Sequence, residues 1–200
     1  MPAGPLPPAA VIVSHTVQDF DAWLAAFVAG EPDRRDAGIL GHHVNRAEHD
    51  PGQVSIYLAV SNVDRAKAFA SSSKLQEDMK EAGVTSPPQV AWMTPVREDI
   101  VWGGEHPAMI VQHRVADFDH WLEVYDGARD MQRAAGVTGH AANRSLDDPS
   151  LVVVYHQADS FDTLRSMVAS PDIRAAMEAA GVISEPEASF HMGGWAKRYV

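Results

Sequence analysis

Cysteine is absent from the 200 residues, which excludes a disulfide framework, a thiolate nucleophile and any thiolate-ligated zinc or iron–sulfur centre. Positive charge is scarce, since 16 Lys and Arg against 27 Asp and Glu leave a formal net charge of −11. A surface of that sign repels phosphate backbones and anionic lipid, so neither nucleic acid nor a membrane is expected as a partner. No apolar run approaches the roughly 20 residues of a membrane span. Met1 to Pro8 lack the basic and apolar regions of a secretory signal, so a soluble cytoplasmic protein is expected. A P-loop, a G-x-G-x-x-G fingerprint, a G-x-S-x-G elbow and a basic stripe are all missing. What is present is an ordinary globular balance, 46% hydrophobic and 22% charged, enough for one domain or two small ones.

The chain is one unit written twice. At an offset of 113 − 15 = 98, His15 falls on His113, and Asp19, Phe20, Asp21, Trp23 and Leu24 fall on Asp117, Phe118, Asp119, Trp121 and Leu122. Gly38, Gly41, His42, Asn45 and Arg46 fall on Gly136, Gly139, His140, Asn143 and Arg144. The register holds without a gap to Gly83 and Val84, which meet Gly181 and Val182. So long a period marks a duplicated domain, because solenoid repeats run about 20–50 residues.

Each copy reads β-α-β-β-α-β. The first strand is Val11 to Val17. An Asp19 cap opens a helix whose Phe20, Trp23, Leu24 and Phe27 lie at i, i+3, i+4 and i+7, one buried stripe ending near Gly38. Strand two covers Leu40 to Arg46. Strand three, Val54 to Val60, alternates aliphatic residues with Ser55, Tyr57 and Ala59. The second helix runs from Asn62 to Gly83, bending at Ser71 to Ser73, and a strand follows at Gln89 to Thr94. The expected fold is α+β, two tandem ferredoxin-like βαββαβ repeats packed sheet to sheet as an intramolecular α/β barrel. The expected boundaries are a disordered or extended tail over 1–9, a first repeat over 10–96, a linker over 97–107, and a second repeat with a C-terminal extension over 108–200. Tethering makes the chain its own pseudo-dimer, and further pairing into a homodimer stays open.

The pattern His15-x-Val17-x-Asp19-Phe20-Asp21-x-Trp23, then Ala37-Gly38 and Gly41-His42-x-x-Asn45-Arg46, resembles the dimeric α/β-barrel superfamily, in particular its antibiotic-biosynthesis monooxygenase-like and "cyclase" proteins. The resemblance covers both copies. It implies a cavity between two sheets that takes a flat apolar ligand. The superfamily spans cofactor-free oxygenases and cyclases of aromatic polyketides, haem-degrading and haem-containing proteins, and lactone isomerases, so the fold alone does not fix the reaction.

His113 and His15 end the first strand of each copy, and a neutral imidazole there suits a general base for a weakly acidic C–H or phenol. His156 stands where the first copy has Leu58, on a face expected to be buried, and a buried imidazole needs a partner. Asn143 and Asn45 can donate to an enolate oxygen. Tyr155 and Tyr57 occupy the more polar face of strand three and are expected to point into the inter-sheet cavity. The expected catalytic set is His113, His156, Asn143 and Tyr155. The expected substrate-binding set is His15, Asn45, Tyr57, Trp92, His140, Phe190 and His191. No metal-binding spacing such as His-Glu-x-x-His occurs, so neither a metal nor another cofactor is assigned. The expected activity is a cofactor-independent monooxygenase or cyclase acting on an aromatic, polyketide-like small molecule of secondary metabolism. The alternatives are a haem- or metal-binding relative and a non-catalytic binding or stress-response module.

Overall fold

The computed structural model describes residues 5–199. The first repeat contributes β1 (Ala9–Thr16), α1 (Phe20–Ala29), α2 (Glu31–Asp36), β2 (Ile39–Ala47), β3 (Gln53–Val60), α3 (Val63–Ala70), α4 (Ser73–Glu81) and β4 (Gln89–Asp99). The second contributes β5 (His106–Arg114), α5 (Phe118–Gly127), α6 (Arg129–Ala134), β6 (Val137–Ser145), β7 (Leu151–Ala158), α7 (Phe161–Ala169), α8 (Pro171–Ala179) and β8 (Glu187–Arg198). This is the expected α+β arrangement of two ferredoxin-like repeats.

Local chemistry explains the boundaries. Asp19 and Asp117 accept the amides of Ala22 and His120 and so satisfy orphan donors at the starts of α1 and α5. The helix expected to run from Asp19 to Gly38 is two helices, broken at Gly30. Pro32 sits in the first turn of α2, where its missing N–H costs nothing, whereas inside a continuous helix it would clash with the preceding turn. The second repeat breaks at the same place without a proline, between Gly127 and Arg129. Gly38 and Gly136 have φ of +80° and +95°, a left-handed turn into the next strand that side-chain-bearing residues avoid.

Two strands are longer than their sequence pattern suggests. β4 continues past Thr94 to Asp99, and β8, whose counterpart of Gln89 to Thr94 is Glu187 to Met192, continues to Arg198. Residues 97–99 and 106–107 of the expected linker are therefore strand, and residues 100–105 make the connection. Gly193 and Gly194 lie inside β8. Of the tail expected over 1–9, residues 1–4 fall outside the described residues, and Ala9 already pairs with Val60 in β1.

One compact unit comprises Pro7–Met93 with Gly193–Val200, and the other centres on Thr94–Met192. β4 and β8 thus each begin in one unit and end in the other. In the first unit the strand order is β4-β1-β3-β2-β8, and in the second it is β8-β5-β7-β6-β4. Period-2 alternation sends Val54, Ile56, Leu58 and Val60 of β3 to the core, where they meet Phe20 and Trp23 of α1. In the second unit, Val152 and Val154 of β7 pack with Trp121 and Tyr125 of α5. No helix among the described residues is long and apolar enough to cross a membrane.

Candidate functional site

The second unit holds a cavity of about 460 Å³ between its sheet and its helices. The strand alternation that buries the core also builds its floor. Met109, Val111 and His113 of β5 and Val154 and His156 of β7 lie on one face of the sheet and line it. Trp121 and Tyr125 of α5 form one wall. The apolar stripe of α8, with Ile173, Ala176 and Met177 at i, i+3 and i+4, forms the roof. Most of the lining is apolar, and Met109, Met131, Met167 and Met177 give it an unbranched, adaptable surface.

Two imidazoles interrupt that lining. His113 and His156 are each 4% exposed. Neither nitrogen of either ring has a hydrogen-bond partner in the protein. Burial pushes His113 down to about 4. Burial, then the fields of His140, Arg129 and His113, pushes His156 down to about 3. Both rings are therefore neutral at pH 7, each with one N–H and one lone pair. A buried polar group left unpaired costs about 1–3 kcal/mol. Two imidazoles in the lining of a largely apolar cavity, with four unpaired nitrogens between them, call for a guest that pairs with them.

The rings stand at different heights. His156 lies directly across the β5–β7 ladder from Met109, and His113 is four residues further along β5, opposite Val152. At about 3.4 Å per residue their backbones are offset by about 14 Å along the strands. Aromatic side chains span the interval. His113 meets Trp121 at 5.8 Å, Trp121 stacks on Tyr125 at 5.1 Å, and Tyr125 lies 6.3 Å from His156. His140 of β6 pairs across the sheet with His156, and its Nδ1 hydrogen-bonds the Tyr125 hydroxyl at 2.7 Å.

The structure brings together His113 and His156 of the expected catalytic set and does not bring Asn143 or Tyr155 to them. Tyr155 lies between Val154 and His156 on β7, so it points to the face turned away from the helices, where it hydrogen-bonds Gln157. Asn143 is buried on that face too, one residue on from Ala142, which packs under the helices. The cavity expected between two sheets is found instead between one sheet and its helices. His140 faces the helices, screened by Tyr125. His191, 5% exposed, bonds Ser189 at 2.8 Å, and Phe190 packs on the second unit's core; neither lines the cavity.

The first-repeat residues lie in the other unit. His15 is buried with both nitrogens unpaired, edge-on to Trp23 at 5.6 Å. The Asn45 amide donates to the Ser55 carbonyl at 3.5 Å, on the face away from the helices that Tyr57 shares. Trp92 is part of the core, under the Lys67 ammonium. Leu58, the counterpart of His156, packs with Trp23 in one cluster against which Phe27 and Val13 lie. The pattern missed Tyr125 and Trp121 as site residues because a helix stripe reads as plain core. The substitution of Tyr125 for Phe27 between copies was the available signal. Among the described residues no group of three or more His, Cys, Asp or Glu converges as a metal site.

No protein-family model matches the chain, and no curated protein sequence matches it. Solved structures do. A monooxygenase candidate from Lactobacillus acidophilus NCFM matches at 12% identity and a TM-score of 0.66, covering 96% of each chain. An anthrone oxidase-like protein matches at 12% identity and a TM-score of 0.69, over 95% of this chain and 92% of that one. A heme-degrading enzyme from Listeria monocytogenes matches at 9% identity and a TM-score of 0.53, over 92% and 98%. At such identities the likeness carries the fold alone: over nearly its whole length this chain, with its two ferredoxin-like α+β repeats, shares the fold of these proteins.

Proposed function

We propose that the second repeat is a cofactor-independent oxygenase for an uncharged aromatic carbon acid, and that the first repeat is its scaffold. The observation that carries this reading is the pair of neutral imidazoles, unpartnered at all four nitrogens, in the lining of a largely apolar cavity whose charged residues, Arg174, Glu178 and Glu185, are solvent-exposed. Beside the buried imidazoles, away from those exposed side chains, a charged guest would lose its hydration for neutral rings and apolar walls, so that part of the lining favours an uncharged one. His113 removes a proton from a ring-activated CH₂ group. Its base strength is held down by burial alone. The carbanion formed beside it supplies the countercharge that water does not, so the imidazolium becomes affordable as the reaction proceeds.

The electron-rich anion passes one electron to O₂, and the radical and superoxide combine to form the C–O bond of a peroxide anion. Imidazolium returns its proton to give the hydroperoxide, which loses its remaining C–H proton and hydroxide as water and leaves a ketone. The balance is CH₂ + O₂ → C=O + H₂O. The anthrone oxidase-like and monooxygenase-like neighbours support this class of chemistry.

The test is oxygen uptake with anthrone as probe. The wild type is expected to consume one O₂ per anthraquinone formed, and His113→Ala to lose about 10²–10⁴-fold in rate, the range general-base help supplies. Uptake no faster than in buffer would sink the reading.

A further inference from the structure

The two imidazoles are not equivalent, and the difference assigns them different work. His113 is flanked by Trp121 and by aliphatic residues of the cavity, and burial is the sole cause depressing its basicity. His156 has His140 directly across the ladder and Tyr125 over it, and it lies in the positive field of Arg129. Arg129 is fixed on α6 by its hydrogen bond to the buried Gln132. A second positive charge at His156 would be opposed from that side. An N–H donated by His156 to an anionic oxygen would be reinforced by the same field. The offset along the strands separates the two functions by the width of a guest and keeps them off a single atom.

We propose that His113 and His156 hold opposite ends of one conjugated carbon acid, His113 taking the proton from carbon at one end and His156 donating its N–H to the oxygen on which the charge settles at the other. The inference rests on the oxygenase reading for its chemistry and narrows it to a substrate class. The acidic C–H and the carbonyl or phenol oxygen must lie across a ring system from each other, so that the electron pair released by the C–H bond travels through the π-system to that oxygen. The proton goes to the free lone pair of His113, and no oxidant enters this step. His156 is then a catalytic residue that changes no protonation state. Repeat one has the base position, His15, but Leu58 in place of the donor, so it lacks half of the pair.

The experiment is deuterium exchange into the CH₂ of anthrone, followed by NMR in D₂O without oxygen, using the full chain. Omitting oxygen separates this proposal from the oxygenation itself. The wild type is expected to accelerate exchange over buffer. His113→Gln and His113→Leu should each lose about 10²–10⁴-fold, because a glutamine amide donates but cannot accept the proton. His156→Leu should lose about 10²–10³-fold. His156→Gln, which restores an N–H, should stay within about tenfold of wild type. The leucine variant places at His156 the side chain the first repeat already carries at Leu58, and near-ultraviolet circular dichroism checks its packing. No acceleration by wild type, a His156→Leu variant as fast as wild type, or glutamine tolerated at His113 and not at His156 would each overturn the assignment. Exchange without oxygen uptake in air would leave it standing and remove the oxygenase reading.

Discussion

The same strand histidine in each repeat is bound to a tyrosine hydroxyl, and the tyrosine comes from a different place. His140 Nδ1 meets Tyr125 of α5 at 2.7 Å, whereas His42 Nδ1 meets Tyr199, beyond the end of β8, at 2.8 Å. Position 27 in the first repeat is phenylalanine and has no hydroxyl to offer, so the C-terminal tyrosine supplies it. Arg34 Nε donates to the same Tyr199 oxygen at 2.8 Å, so that hydroxyl ties His42 and Arg34 together. Tyr125→Phe and Tyr199→Phe each strand a buried ring nitrogen. Each is expected to cost about 1–3 kcal/mol in urea unfolding. The Tyr199 variant should be the more harmful, because it also unpairs Nε of Arg34, a residue 6% exposed and already lacking a partner at one terminal nitrogen.

Acid should unfold this protein earlier than an ordinary carboxylate-driven transition would. Burial lowers His15, His42, His113, His140 and His191 to about 4 and His156 to about 3, against an ordinary 6.5. Below 6.5 the unfolded chain binds protons that the folded chain refuses. The stability is therefore complete above about pH 6.5 and is lost as pH falls toward 4, each refused proton costing about 1.4 kcal/mol per pH unit. His15→Leu removes one such group without breaking a hydrogen bond, since neither ring nitrogen has one. It should leave stability at pH 7 unchanged or raised and flatten its dependence on pH between 4 and 6.5, measured by denaturant titration. A steeper or unchanged slope would mean that His15 is not refusing a proton.

The duplication, the element order and the face each strand buries were legible because they rest on periods the residues display directly: an offset of 98, helix stripes at i+3 and i+4, and strand alternation. That alternation separates Leu58 and His156 from Tyr57 and Tyr155, and in the structure the first pair's face is the one beneath the helices. What it could not say is which side keeps unfilled space. The cavity is bounded jointly by residues of β5, α5, α6, β7, α7, α8 and β8, a sum that no local pattern contains. The ends of β4 and β8 were obscured for a related reason: Pro95 and the Gly193–Gly194 pair are poor strand formers, and pairing with neighbouring strands outweighs their local preference.

Gly41 and Gly139 occupy the same place in the two repeats, beside a register shift in β2 and β6. A Cβ at Gly41 would lie 2.7 Å from the Lys197 carbonyl oxygen, and one at Gly139 would lie 2.2 Å from Gln157 Oε1 and 3.1 Å from Ile100 Cα. The obstruction at Gly41 is backbone, which cannot swing aside. Gln157 is wholly buried and clamps Val101 through two hydrogen bonds of 2.7 and 3.2 Å, so it is not free to move either. Gly41→Ala and Gly139→Ala should each destabilise by about 1–3 kcal/mol, the usual cost of overpacking, and Gly139→Ala should also speed proteolysis of the connection at 100–105. Unfolding midpoints equal to wild type would show that the strands can part without penalty.

The roof of the cavity offers a way to block the guest without touching either imidazole. No residue of α8 is fully buried, and its apolar stripe borders the cavity, with Ile173 also packed against the second unit's core. Ala176 lies in the middle of that stripe. Phenylalanine there would fill part of the roughly 460 Å³ and bury more apolar surface, so the fold should be kept or slightly stabilised. Ligand occupancy should fall. With anthrone as probe, Ala176→Phe is expected to raise KM at least tenfold, with melting temperature at or above that of wild type. Asp78→Phe, at the matching position of α4 in the first repeat, should leave KM unchanged. Equal effects of the two substitutions would show that the guest does not discriminate between the repeats.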